Sequence, residues 1–219
     1  MRIAVGIPVR MGSTRFPGKP LCDILGTPMV EHVYKRCALS SYTTDLFVAA
    51  CDDEIRDRVE AFGGSVIMTD PEIQRPGLRV ASAAETLKLA AEDIVVVVQG
   101  DEPLVHPDMI DLAVEPLLNE KDVYVSNLCK EIEDEEWVDP GEIKVVCDLK
   151  MNAMYMSRSP IPSTNHEEQR TKWWKQVCIM PFKWHFMKRF NHGLTPSPLE
   201  LQESIEMIRA LQHGYKVRM

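Results

Sequence analysis

The residue types best suited to chemistry fall in one stretch, Arg10-Met11-Gly12-Ser13-Thr14-Arg15-Phe16-Pro17-Gly18-Lys19-Pro20-Leu21. Small residues at Gly12, Ser13 and Thr14 let backbone N–H groups close around phosphate oxygens. Arg10, Arg15 and Lys19 add three cations to a chain whose net charge is −8. Pro17 and Pro20 restrict the loop, so these charges are held rather than floppy. Pro20 follows Gly18-Lys19, so the Walker A pattern is absent, as is the Gly-x-Gly-x-x-Gly of dinucleotide binders. A plain basic surface loop is the competing reading. The position directly after the first strand, where an α/β sheet takes nucleotide, favours a triphosphate.

A second candidate is Gln99-Gly100-Asp101-Glu102-Pro103, which ends the most apolar run in the chain, Ile94 to Val98. A hard cation such as Mg²⁺ combines carboxylate oxygens with substrate phosphates. Attack on a triphosphate needs that ion against the charge growing on the leaving pyrophosphate. Asp101 is the expected ligand and Mg²⁺ the expected cofactor; a turn-stabilising aspartate is the bland alternative. Glu102 could equally cap or orient the turn.

These residues need strands to carry them. Ile3–Val9, Asp45–Ala50, Ser65–Met68 and Ile94–Val98 read as strands, the last covered on both faces. Pro28–Leu39, Asp53–Phe62 and Val80–Ala91 read as the helices between them. The order predicts an α/β fold, a doubly wound and mostly parallel sheet with ligands at the carboxyl ends of the strands. The second half is less regular: Val123–Cys129, Ile143–Asp148, Ala153–Ser157 and Gln176–Met180 suggest strands, some antiparallel. Leu199–Gln212 reads as an amphipathic helix. The acidic run Glu131 to Glu136 is read as solvated, and Trp173-Trp174 as core or interface, since adjacent strand residues face opposite ways.

With 219 residues, the chain suits one domain, with 1–120 as a nucleotide-binding half and 121–219 as an acceptor-side half. The acidic balance argues against nucleic acid or an anionic membrane as partner. No apolar run approaches the roughly 20 residues that span a bilayer. Six scattered cysteines without a Cys-x-x-Cys pair suit reduced thiols. The expected compartment is the cytoplasm.

Pro8-Val9 with the Arg10–Leu21 loop, Gln99-Gly100-Asp101-Glu102-Pro103 and Pro196-Ser197-Pro198-Leu199-Glu200 together resemble the 3-deoxy-manno-octulosonate (Kdo) cytidylyltransferase family. Lys144-Val145-Val146, Tyr155, Ser157-Arg158, Ile161-Pro162 and Ile208-Arg209-Ala210-Leu211 extend the likeness in collinear order. The resemblance implies a Rossmann-like nucleotidyltransferase fold with an irregular acceptor-side subregion. It also implies attack by a sugar-acid hydroxyl on the α-phosphorus of CTP, with pyrophosphate leaving. Arg10, Arg15, Lys19 and Asp101 would then be catalytic. Pro8, Arg10, Gly12, Ser13, Thr14, Arg15, Lys19, Gln74, Arg79 and Gln99 would hold the nucleotide. Arg75, Gln99, Glu102, Tyr155, Arg158, Gln176, Glu203 and Glu206 would face the acidic acceptor, and a homodimer with its contacts in 121–219 is implied.

The chain departs from that pattern in three places. Arg75-Pro76-Gly77-Leu78-Arg79 replaces a Ser-Gly-Thr-acid-Arg segment, so Arg75 is an added cation suited to extra negative charge. Gln176 stands where the family has a sugar-facing histidine, and Met207 where it has glutamine. These swaps point to Kdo with tolerated drift, or to another acid such as an amino-sugar acid or a phosphonate. Family members also continue past Met219 into a segment with a second metal-binding aspartate. Either that tail is missing here, or metal binding uses Asp101 with another group. A nucleotide-binding homologue without turnover is the reading from a different class.

Overall fold

The computed structural model describes residues 1–12, 16–163 and 172–219. Five strands form the main sheet, in the order Ile179–Lys183, Ile94–Val98, Ile3–Pro8, Asp45–Ala50, Val66–Met68. The last four run parallel, and Ile179–Lys183 lies antiparallel along Ile94–Val98. The central strand shows why helices must cover both faces. Val95 and Val97 enter one apolar cluster, while Ile94, Val96 and Val98 enter the other. Helices Met29–Cys37, Asp53–Ala61 and Pro107–Asn119 cover one face through Val30, Val33, Ile55, Val59, Ile110 and Val114. Helices Pro76–Ala84, Trp184–Lys188 and Met207–Gln212 cover the other through Val80, Ala84, Phe186, Met187 and Ile208. Each of the buried Val, Ile, Phe and Met side chains contributes roughly 1.5–3 kcal/mol relative to exposure. The doubly wound sheet is as the strand–helix order required.

The second half is more regular than the sequence suggested. Leu128–Glu131, Trp174–Val177, Lys144–Cys147 and Ala153–Ser157 form a four-stranded antiparallel sheet in that order. Expected strand Gln176–Met180 is two strands broken at Cys178, one in each sheet. The second half therefore lends the main sheet its edge strand, crossing the division at residue 120. Val123–Cys129 is not one strand either: Val125 and Ser126 make isolated bridges before Leu128.

Two helices also differ from expectation. Val80–Ala91 starts earlier, at Pro76, because proline suits the first helical turn. It ends at Ala84, and one 3-10 turn leads to Lys88 at a left-handed φ of 52°. Leu199–Gln212 is split by Ser204, whose φ is 56°, into Pro198–Glu203 and Met207–Gln212. In an unbroken helix Glu203 and Glu206 would share a face. The break lets Glu203 turn to the antiparallel sheet and Glu206 to helix Pro76–Ala84. The acidic run supplies a capping box, Glu133 and Glu136, for helix Asp134–Val138. Trp173 stacks on Trp137 with ring centroids 4.7 Å apart, which suits the core reading.

Helix Pro76–Ala84 sits close because Gly6 has no side chain. A Cβ there would lie 2.5 Å from Val80 Cγ1 and 2.8 Å from the Phe47 ring. Gly6→Ala is expected to destabilise the fold by about 1–3 kcal/mol, seen as a lower urea midpoint with unchanged slope. An unchanged midpoint would show that the helix yields freely.

Candidate active site

The reversal of strand order falls between Ile3–Pro8 and Ile94–Val98, and both strand ends open into one cleft. Its volume is about 490 Å³, ample for a small ligand. Pro8, Val9, Arg10, Phe16, Lys19 and Pro20 line one wall; Gln74, Pro76, Arg79, Gln99, Gly100 and Asp101 line the rest. The strand ends can approach this closely because residue 100 is glycine. A Cβ there would meet Val9 Cγ1 at 2.3 Å and the Pro8 carbonyl at 2.9 Å.

The loop after the first strand is pinned at both ends. The Met11 N–H donates to Asp52 Oδ2 at 2.9 Å, and the Gly18 N–H to the Met11 carbonyl at 3.2 Å. Gly18 takes the left-handed φ of 73° and starts the 3-10 turn Lys19–Leu21. Lys19 is thereby aimed across the cleft, its Nζ donating to Asp101 Oδ2 at 2.7 Å. Arg10 donates through Nη1 to Gln74 Oε1. Gly12 is exposed and does not line the cleft. The expected nucleotide contacts Ser13, Thr14 and Arg15 lie outside the described residues.

Arg79 and Arg75 are differently employed than their charge suggested. Arg79 is 2% exposed and touches the cleft wall, but it donates at 2.5 Å to Thr69 Oγ1 and to the Ile73 carbonyl. It braces the segment that presents Gln74. Arg75 lies outside the cleft lining, and its Nη1 donates to Glu200 Oε1 at 2.6 Å. The added cation is therefore balanced within the chain.

On the expected acceptor side, Glu203 gathers two expected residues, Tyr155 and Arg158, together with Ser157. It accepts from Tyr155 Oη at 3.2 Å, Ser157 Oγ at 2.7 Å and the Arg158 N–H at 2.9 Å. Desolvation pushes its carboxyl up, but the donations outweigh that and leave it below the usual carboxylate range. Glu206 goes the other way: burial raises it, against the partial opposition of Arg209 and Arg75. Gln176 donates through Nε2 to Asn127 Oδ1. Among the described residues, Gln176 Oε1 and Glu206 Oε1 are the buried side-chain atoms without a hydrogen-bond partner. Met207 is 1% exposed and packs in the core. Glu102 is raised by desolvation and then by Asp101 and Glu142, with Lys19 and Lys175 opposing. Phe16, Pro76 and Asp52 were not foreseen. An acid at the end of a parallel strand was the only signal for Asp52, and an aromatic inside a cation-rich loop the only one for Phe16.

The cytidylyltransferase family model matches residues 4–217 of this chain. The chain belongs to the cytidylyltransferase family. A cytidylyltransferase is a CTP-dependent nucleotidyltransferase, which suits a cleft with cations on one strand end and a carboxylate on the other. A 3-deoxy-manno-octulosonate cytidylyltransferase of Geobacter metallireducens is 37% identical, over 100% of this chain and 89% of the relative. An 8-amino-3,8-dideoxy-manno-octulosonate cytidylyltransferase of Shewanella piezotolerans is 38% identical, over 100% and 88%. A solved CMP:2-keto-3-deoxy-manno-octonic acid synthetase complexed with CTP superposes with a TM-score of 0.93 at 32% identity, covering 100% of this chain and 88% of that one.

The Glu203 cluster makes acid stability testable. A carboxyl depressed in the folded state contributes stability above its unfolded value, near 4.3, that is lost as pH falls through the folded value. Glu203→Gln should flatten the decline of Tm between about pH 5 and pH 3 relative to the parent. Parallel declines in the two proteins would remove Glu203 from the acid transition.

Proposed function

We propose that this cytidylyltransferase moves CMP from CTP to 3-deoxy-manno-octulosonate, or a close relative of that sugar acid, and releases pyrophosphate. The observation that carries the reading is the Lys19–Asp101 pair across the cleft. It stands between the two strand ends of a chain that matches enzymes named for this reaction over its whole length. The acceptor hydroxyl oxygen forms a bond to the α-phosphorus, and the bond to the β-phosphate bridging oxygen breaks. The hydroxyl proton leaves to solvent or a neighbouring base. Arg10, Lys19 and Arg15 would meet the triphosphate charge, with Pro8, Gly12, Ser13, Thr14, Gln74 and Gln99 framing it. Positioning and electrostatics supply the rate, so no protein nucleophile is needed.

Mg²⁺ fits the donor set. Asp101 is a half-exposed carboxylate at the phosphate end of the cleft, with Glu102 beside it. Among the described residues no cluster of three or more His, Cys, Asp or Glu side chains could hold an ion. Mg²⁺ suits such a site, since it needs one or two carboxylates and completes its shell with phosphates and water. When bound it would offset the charge on the departing pyrophosphate.

Glu102, Tyr155, Arg158, Gln176, Glu203 and Glu206 would shape the acceptor side. A second acceptor, an amino-sugar acid, is favoured by one observation: the open buried oxygens of Gln176 and Glu206 both accept hydrogen bonds, as an ammonium group requires. A homodimer is part of the reading, supported by Leu149 and Met154, exposed at and beside the edge strand Ala153–Ser157. Six free thiols support the cytoplasm as its compartment. No helix among the described residues is long and apolar enough to cross a membrane.

Pyrophosphate release from CTP and Mg²⁺ should appear with 3-deoxy-manno-octulosonate or its 8-amino analogue. Asp101→Ala should lower it at least about 100-fold. Silence with every sugar acid, or full activity in that variant, would sink the reading.

A further inference from the structure

The segment that starts helix Pro76–Ala84 has one foot in the cleft and one outside it. Arg75 is the residue before the helix, with an extended backbone, φ −87° and ψ 128°. Neighbouring side chains on extended backbone point opposite ways. Gln74 accordingly faces the cleft and accepts from Arg10, while Arg75 reaches out to Glu200 at 2.6 Å. Glu200 does not need Arg75 to be neutralised. It already accepts from Arg209 Nε at 2.8 Å and Nη2 at 2.5 Å, and from the Ser197 N–H at 3.1 Å. The Arg209 and Glu200 side chains are each 3% exposed, whereas Arg75 is 34% exposed. The second foot is reinforced two residues on, where the Gly77 backbone packs against the Glu206 carboxyl. A Cβ on residue 77 would lie 3.1 Å from Glu206 Oε2.

We propose that Arg75 is a positioning residue for the nucleotide. By tying residue 75 to Glu200 it fixes Gln74 beneath Arg10, so the helices Pro198–Glu203 and Met207–Gln212 set how Arg10 meets the triphosphate. The inference rests on the reading that Arg10 binds CTP. It assigns Arg75 a role other than direct acceptor contact, because Arg75 turns to Glu200 and lies outside the cleft lining. An unbraced residue 74 would leave the Arg10 guanidinium to wander, and a shift of about 1 Å in a binding group can cost up to about 100-fold. Glu200 keeps Arg209 when Arg75 is removed, so the fold survives the substitution.

The test is CTP affinity measured by calorimetry with Mg²⁺ and no acceptor, alongside steady-state kinetics and Tm. Arg75→Ala should weaken CTP binding and lower kcat/KM for CTP about tenfold, with the acceptor KM within about threefold of the parent. Arg75→Lys, which keeps the charge but not the planar fork, should recover most of the affinity. Combining Arg75→Ala with Gln74→Ala should be no worse than Gln74→Ala alone, because the two act through one contact. Equal CTP affinity in the parent and Arg75→Ala would overturn the inference alone, as would penalties that multiply in the double variant. A rise confined to the acceptor KM would overturn it and return Arg75 to the acceptor. Failure of the parent to bind CTP would overturn the functional reading, and the inference with it.

Discussion

Five consecutive β-branched residues, Ile94 to Val98, must be kept from water on both faces, and every one of them is fully buried. One layer of helices cannot do that, because alternate side chains point to opposite sides. The chain therefore winds helices on both faces and closes the outer edge with the antiparallel strand Ile179–Lys183. The polar turn Gln99-Gly100-Asp101 is then forced to emerge at the strand's carboxyl end. Next to it stands the end of Ile3–Pro8, brought within contact because Gly100 offers no Cβ. The cleft is a consequence of this burial, before any ligand is considered.

Charge is then concentrated against the average of the molecule. An acidic chain repels an acidic substrate in general, so its cations must be placed where they count. The Met11 and Gly18 backbone bonds and the Asp52 carboxylate close the loop, which commits Lys19 to the space above Asp101. The Lys19–Asp101 pair is partly exposed, so its own contribution to stability is small. Its consequence is a cation and a carboxylate held together in one cleft.

The C-terminal helices give the cleft its back support. Glu200 and Arg209 form a buried pair that contributes chiefly by being complete, since either partner alone would be an uncompensated charge. Its reach through Arg75, with the packing of Glu206 against Gly77, connects it to the segment carrying Gln74. Glu203, on the other side of the Ser204 break, is committed to Tyr155, Ser157 and Arg158 instead. Two carboxylates three positions apart thus serve two different walls.

The local alphabet was enough to read the doubly wound sheet and to bring Arg10, Lys19, Gln99 and Asp101 together at the carboxyl ends of its strands. Those conclusions rest on periodicity, on strand-end position and on residue chemistry, all of which are local in the chain. The break at Ser204 was not legible, because the apolar spacing of 199–212 continues through it and only distant partners pull Glu203 and Glu206 apart. The change of sheet at Cys178 was hidden for the same reason, since both halves of that run are strand. Arg75 and Arg79 looked like free cations for a ligand. Tertiary structure alone decided that they bond Glu200, Thr69 and the Ile73 carbonyl, because a charge's partner is set by contacts up to 125 residues away in the chain.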